Sequence, residues 1–174
     1  MATTLAGPVR AEVEQLPAAP CFWRLERFPT AAAAHDAATA TGLVLEAEGQ
    51  VWLFTLGGRG ERSPDGAFVA EIGPVAVPAA ATYLLQVTET AIPAGTGAGA
   101  VHCHPGTESF YVVAGEQTIR TIHGERHTRA GQSEIGAPAG TPVQFVSTGA
   151  EERRALALFV LDARQPFESP ADFA

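Results

Sequence analysis

The chain has no lysine and no asparagine, and each absence removes chemistry. Without lysine there is neither a Schiff base to a carbonyl substrate nor a lysine general base. All eleven basic residues are arginine, the largest cluster is the pair Arg153-Arg154, and the formal net charge is -8, so nucleic acid is not an expected partner. Aspartate occurs only four times, too sparsely for an oxygen-rich calcium loop. The two cysteines, Cys21 and Cys103, lie far apart and fit neither a zinc ribbon nor a thioredoxin-type pair. Two free thiols in a reducing compartment and a single bridge both stay open. No run approaches the ~18 apolar residues of a membrane span, and the first twenty residues contain no continuous apolar segment of the signal-peptide kind. A soluble, cytoplasmic protein with no membrane partner is the expectation.

What is present points to an ordinary globular domain. Of 174 residues, 46% are hydrophobic and they are spread along the whole length. A chain of this size buries about two-thirds of its unfolded surface without a disulfide. Residues 1–20 are rich in alanine and proline and show no periodicity, which predicts an irregular arm. The block Thr30 to Thr41, TAAAAHDAATAT, predicts one short helix capped by Thr30. His35 within it has no partner at ligand spacing.

From Gly42 the texture changes to short β-branched and aromatic runs broken by glycine or proline, the all-β pattern. Strands are expected over 43–48, 51–56, 68–72, 82–90, 101–104, 108–114, 117–123, 127–129, 143–147 and 154–161. Hairpin turns are expected at Gly49-Gln50, at Ala114-Gly115-Glu116 and at His123-Gly124-Glu125. About ten short strands suggest a double-sheet barrel, an architecture that protects strand edges. The tail after Asp162, ARQPFESPADFA, reads as a strap over that barrel. The expected organisation is a single domain: an arm and helix over 1–41 packed on a barrel over 42–174.

The chemistry concentrates in VHCHPGTESFYVVAG. His102 and His104 stand two apart, so on a strand both face the same side and Cys103 faces the other. Pro105-Gly106-Thr107 supplies a turn, and Glu108 opens the next strand near the two imidazoles. Two neutral imidazoles and a carboxylate suit Mn, Fe, Ni, Cu or Zn. The same residues also suit a polar rim that holds no ion. His123 and His127, beside Arg120, Arg126 and Arg129, read as a solvated turn.

This stretch resembles the first motif of the cupin superfamily, matched at His102, His104, Glu108 and Gly115, with Gly95 and Gly97 straddling the position of its leading glycine. Gly131 and Pro138-Ala139-Gly140 resemble the second motif, but Val143 stands where that motif has histidine, and Ser147 where it often has asparagine. The resemblance, centred on residues 97–147, implies a jelly-roll barrel, also described as a double-stranded β-helix, to which the residue pattern adds extra N-terminal strands and one short helix. It further implies a divalent transition metal (Fe, Mn, Ni or Zn) at the open end, and sheet-to-sheet homodimers. Only His102, His104 and Glu108 carry over as ligands. Two histidines and one carboxylate still leave open positions for a substrate.

Alternation places Phe110 and Val112 on the side of Glu108, and Val143 and Phe145 together on their own strand. With Tyr83 these form the expected lining of a pocket for a small, partly apolar ligand. Gln86 and Tyr111 are undecided between pocket and surface, and Gln144 is expected to face away. Three functions are compatible with this reading. One is a metal-dependent enzyme of the oxygenase, isomerase or decarboxylase kind, with no separate general base identifiable. Another is a barrel that binds or senses a small molecule without transforming it. The third is a purely structural module used for oligomerisation.

Overall fold

The short apolar runs form antiparallel strands because each has one or both faces to bury and a glycine, proline or polar turn at its end. The computed structural model describes residues 3–5, 7–147 and 149–173. In chain order its elements are β1 Thr3–Thr4, β2 Val9–Val13, β3 Cys21–Phe28, α1 Ala31–Ala37, β4 Gly42–Ala47, β5 Gln50–Gly57, β6 Ala67–Val75 and β7 Tyr83–Ile92. They continue as β8 Gly97–Ala98, β9 His102–Cys103, β10 Gly106–Ala114, β11 Glu116–Thr121, β12 Gly124–Arg129, β13 Ser133–Ile135, β14 Gln144–Ser147, β15 Arg153–Asp162 and β16 Ser169–Pro170.

Three layers result. The central sheet has the order β1-β7-β15-β10-β13, with β2 also paired to β7. On one side lies the N-terminal sheet β4-β5-β3-β6, and on the other β12-β11-β14-β8 and the small pair β16-β9 close the barrel. The central strands are buried on both faces, and alternation decides which core each residue joins. On β15, Leu156, Leu158 and Val160 join Trp23, Trp52 and Phe54 in the core beneath the N-terminal sheet. Ala157, Phe159 and Leu161 point the other way, into the barrel, beside Phe110, Ile119 and Val143. The chain adopts the all-β barrel expected from the strand rhythm, in the jelly-roll form that the resemblance implies.

The N-terminal part departs from expectation. Within the arm expected to be irregular, β2 pairs with β7 from Val9↔Val87 to Val13↔Tyr83. β3, which the sequence reading leaves out of its strand list, pairs with both β5 and β6 and holds the N-terminal sheet together. Its charged residues disguise it. Glu26 is fully buried, accepting hydrogen bonds from Arg24 Nε (2.9 Å), Ser63 Oγ (2.7 Å) and the Ser63 backbone N–H (2.8 Å). A buried charge is tolerable when it is paired and hydrogen-bonded in this way. The residues on either side of position 41 therefore share one sheet.

Other local expectations are met in part. Thr30 caps α1, its hydroxyl accepting from the Ala33 N–H at 3.2 Å, although the helix stops at Ala37. The first hairpin turns one residue earlier than expected, at Glu48-Gly49, both with positive φ (55° and 66°), so that Ala47 pairs with Gln50. That is the two-residue turn whose twist matches the strands. The hairpin expected at Ala114-Gly115-Glu116 does not form: β10 pairs with β13 and β15, β11 with β12 and β14, so the chain changes sheet at Gly115, whose φ of +68° makes the bend and where a β-carbon would meet the Glu152 carbonyl at 2.7 Å. Cys21 and Cys103 are both free thiols. Among the described residues no helix is long and apolar enough to cross a membrane.

Candidate metal centre

The turn 105–107 brings β9 and the start of β10 together at one end of the barrel. Gly136 lets a neighbouring loop press on Glu108: a β-carbon there would sit 1.4 Å from the Glu108 carbonyl oxygen, so only glycine fits. Gly140, the last residue of the Pro138-Ala139-Gly140 turn, donates its N–H to the His104 carbonyl at 2.9 Å. The second motif thus clamps the backbone of the first.

The two histidines face the same side, as their spacing requires, with ring centroids 5.1 Å apart. Each uses Nδ1 on a backbone carbonyl: His102 on Ala100 at 3.2 Å, His104 on Phe167 at 2.7 Å. A carbonyl only accepts, so Nδ1 of each carries the proton and Nε2 of the neutral ring presents its lone pair. His104 Nε2 lies 3.3 Å from Glu108 Oε2, but the approach is not aligned as a hydrogen bond, and this nitrogen has no hydrogen-bond partner. A lone pair facing a carboxylate oxygen in a buried site repels unless a cation or a proton lies between them. Burial disfavours a charged His104, yet the Glu108 carboxylate, the Phe167 carbonyl and Glu168 outweigh burial and raise its pKa above the ordinary histidine value.

Backbone tethering of one ring nitrogen, with the other free, is the arrangement that orients metal-bound histidines. The donor set fits a divalent transition metal. Among the described residues, one group offers one possible ligand atom from each member within 4.8 Å of the others: His102, His104 and Glu168; Glu108, expected to complete the set, is outside this group and approaches His104 only. Glu168 is absent from the ligands that the sequence motifs mark. It lies 60 residues beyond Glu108, and no local pattern in the tail marks it as a ligand.

Val143 sits directly across from His102. The pair exchange both backbone hydrogen bonds, His102 N–H to Val143 O at 3.0 Å and Val143 N–H to His102 O at 2.8 Å. Opposed residues of an antiparallel pair project to the same face, so Val143 occupies the flank of His102 with an apolar side chain. Gln144 turns outward and donates to the Gly99 carbonyl at 2.8 Å.

The expected lining residues separate into two places. Phe110, Val143 and Phe145 meet in the barrel core, where the rings of Phe110 and Phe145 are 5.2 Å apart. Val112 is fully buried on the same strand as Phe110. Tyr83 is not with them. It lies on the opposite face of β7 and lines a cavity with Glu14, Leu16, Pro17 and Val77. Alternation sets this: Leu84 faces the barrel and Leu85 the N-terminal sheet, so Tyr83 shares the side of Leu85.

Little room remains inside the barrel. Below the histidines a pocket of about 10 Å³ is bounded by His104, Glu108, Ala137 and Val143, space on the order of one water. Deeper, the Phe110 and Phe145 rings cover Arg153, whose guanidinium carbon is 5.7 and 5.9 Å from their centroids. Arg153 donates to Gln117 Oε1 and to Thr90 Oγ1 and closes the barrel floor; burial lowers its pKa to about 10. On the strap side of the mouth, a cleft of about 370 Å³ is lined by Pro78, Cys103, His104, Gly140, Gln165 and Ser169; of the candidate ligands it touches His104 alone.

Residues 88–159 match the family model for the cupin domain. This part of the chain is a cupin domain. The match begins inside β7 and ends inside β15, so the N-terminal sheet and the tail lie outside it. Among curated proteins none matches the chain. Similar solved structures include a cupin-2 domain protein from Shewanella frigidimarina (20% identity, TM-score 0.38, 43% of this chain and 69% of that one). A cupin-like protein from Thermotoga maritima is 16% identical (TM-score 0.44, 51% and 65%). A DMSP lyase from Ruegeria pomeroyi is 24% identical (TM-score 0.43, 50% and 43%). The aligned region thus spans about two-thirds of the first two proteins and under half of the lyase.

Proposed function

We propose that this cupin domain is a metal-dependent enzyme of small-molecule metabolism, with His102, His104 and Glu108 holding a divalent ion of the Fe, Mn, Ni or Zn group. The observation that carries the reading is the buried Nε2 of His104, tethered through Nδ1 and set 3.3 Å from a carboxylate oxygen with no hydrogen-bond partner of its own. Once bound, such an ion acts as a Lewis acid on an oxygen of the substrate, chemistry that serves oxygenase, isomerase and decarboxylase-like reactions. The chain's own residues do the rest. His102 and His104 are oriented by backbone carbonyls, and Glu108 is held by the close approach of Gly136. Phe159 and Phe167, 5.3 and 5.2 Å from the His104 ring, exclude water from its faces. The mouth cleft has the volume of a small-molecule site, whereas the space beneath the histidines does not.

A second reading, a barrel that binds a small ligand without transforming it, draws support from Val143 and from the filled interior. A thermal-shift screen of carboxylic acids, sugars and phenols, run with and without Fe, Mn, Ni or Zn, separates the two. Ligand stabilisation that requires the metal supports the enzyme. Stabilisation indifferent to metal, and unchanged in a His102→Ala/His104→Ala variant, favours the binding barrel and overturns the first reading.

A further inference from the structure

The tail after β15 crosses the barrel mouth and is fastened on both sides of Glu168. Before it, the Phe167 carbonyl accepts from His104 Nδ1 at 2.7 Å, and the Phe167 ring lies 4.8 Å from that of Phe159. After it, β16 pairs with β9 at Ser169↔Cys103 and Pro170↔His102, and the Ala171 N–H donates to the Val101 carbonyl at 3.2 Å. Between these anchors Glu168 is exposed, yet its carboxylate falls within 4.8 Å of donor atoms of both histidines. His104 itself is only 7% exposed, and its Nε2 lacks a hydrogen-bond partner. Across His102, position 143 offers only a methyl-bearing side chain where the second motif has a donor. The strap lies outside the region matched by the cupin family.

We infer that Glu168 is a metal ligand delivered by the C-terminal strap in place of the missing second-motif histidine, so that metal binding pins the strap across the barrel mouth. The inference rests on the proposed metal site. A carboxylate and two imidazoles form a chemically consistent donor set for the same ions. Because the ligands come from a motif and a separate strap, metal binding and strap docking are linked: each favours the other by the same factor.

The test uses the full chain and Zn(II), with affinity read by competition against a chromophoric chelator and strap docking by hydrogen exchange at the Ala171 amide. Glu168→Gln keeps the size of the side chain and, at an exposed position, the fold. It is expected to weaken Zn(II) binding at least tenfold and to abolish the slowing of Ala171 exchange that Zn(II) produces in the parent protein. Adding Val143→His to Glu168→Gln is expected to restore the affinity without restoring that slowing. Zn(II) affinity within twofold of the parent in Glu168→Gln overturns the inference. So does a folded Val143→His/Glu168→Gln variant that stays as weak as Glu168→Gln. Binding that survives Glu168→Gln but is lost in His102→Ala/His104→Ala overturns the strap ligand alone, whereas a parent protein that binds no Zn(II), Mn(II), Fe(II) or Ni(II) overturns the proposed function as well.

Discussion

Replacing Phe167 with alanine cuts the strap's apolar anchor and leaves its backbone bond to His104 in place. The ring is half-buried in the barrel core, 4.8 Å from Phe159 and 5.2 Å from His104. A phenylalanine ring in such a position removes on the order of 120 Å² from water, which at ~25 cal/mol per Å² is about 3 kcal/mol. The ring is only half-buried, so the gap is open to water and adds no cavity term, and the loss stays at ~2–3 kcal/mol. Because the strap's other fastenings are a two-residue strand pair and a few hydrogen bonds, the loss falls on local opening and not on the whole barrel. The strap's opening equilibrium should rise ~30- to 160-fold. Hydrogen exchange resolved by residue reads this directly: the Ala171 amide should exchange faster by that factor, while amides of β10 and β15 keep their parent rates. A change of less than threefold at Ala171 would refute the reasoning, because the ring would then not be holding the strap. A uniform acceleration across the barrel would refute it in the other direction.

Two further outcomes follow from particular residues. Glu89 is buried and shares a hydrogen bond with Glu48, and burial with that neighbouring carboxylate pushes its pKa up from 4.5 to about 7, against the pull of Arg154. The folded state therefore binds the Glu89 proton more tightly than the unfolded chain does, so this residue's contribution to stability is full below pH ~4.5 and is lost as pH rises towards 7. Glu89→Gln should match the parent's melting temperature near pH 4.5 and exceed it at pH 8; a variant less stable at pH 8 contradicts the argument. Gly136→Ala forces a methyl group against the Glu108 carbonyl oxygen, so the backbone carrying Glu108 must move. The variant should unfold ~1–3 kcal/mol more easily in urea and bind Zn(II) more weakly, and a parent-like value of both would show that the loop yields freely.

Much of this architecture is legible in the sequence because it rests on local patterns. The two-residue spacing of His102 and His104 is enough to put both rings on one face, and Thr30 ahead of an alanine run is enough to start α1. Reading fails where the deciding interaction is distant. β3 looks like a surface segment because Arg24 and Glu26 are charged, and only the Ser63 loop, 37 residues later, makes their burial possible. Alternation alone does not say which face of β7 turns towards the N-terminal sheet, so the expected place of Tyr83 in the pocket gives way to the packing of Leu85 and Val87, which turns it to the other side. Glu168 escaped for the same reason. Its place beside the histidines comes from the path of the tail across the mouth, where Phe167 supplies an aromatic anchor and β16 a strand pair that no short sequence pattern announces.

The central claim is that the two histidines form a metal site. Its most direct measurement is the metal content of protein purified without chelator and then loaded with Zn(II), compared with a His102→Ala/His104→Ala variant of verified fold. The account predicts a single tightly held ion per chain in the parent and none in the variant, while equal metal content in the two proteins, or none in either, would contradict it.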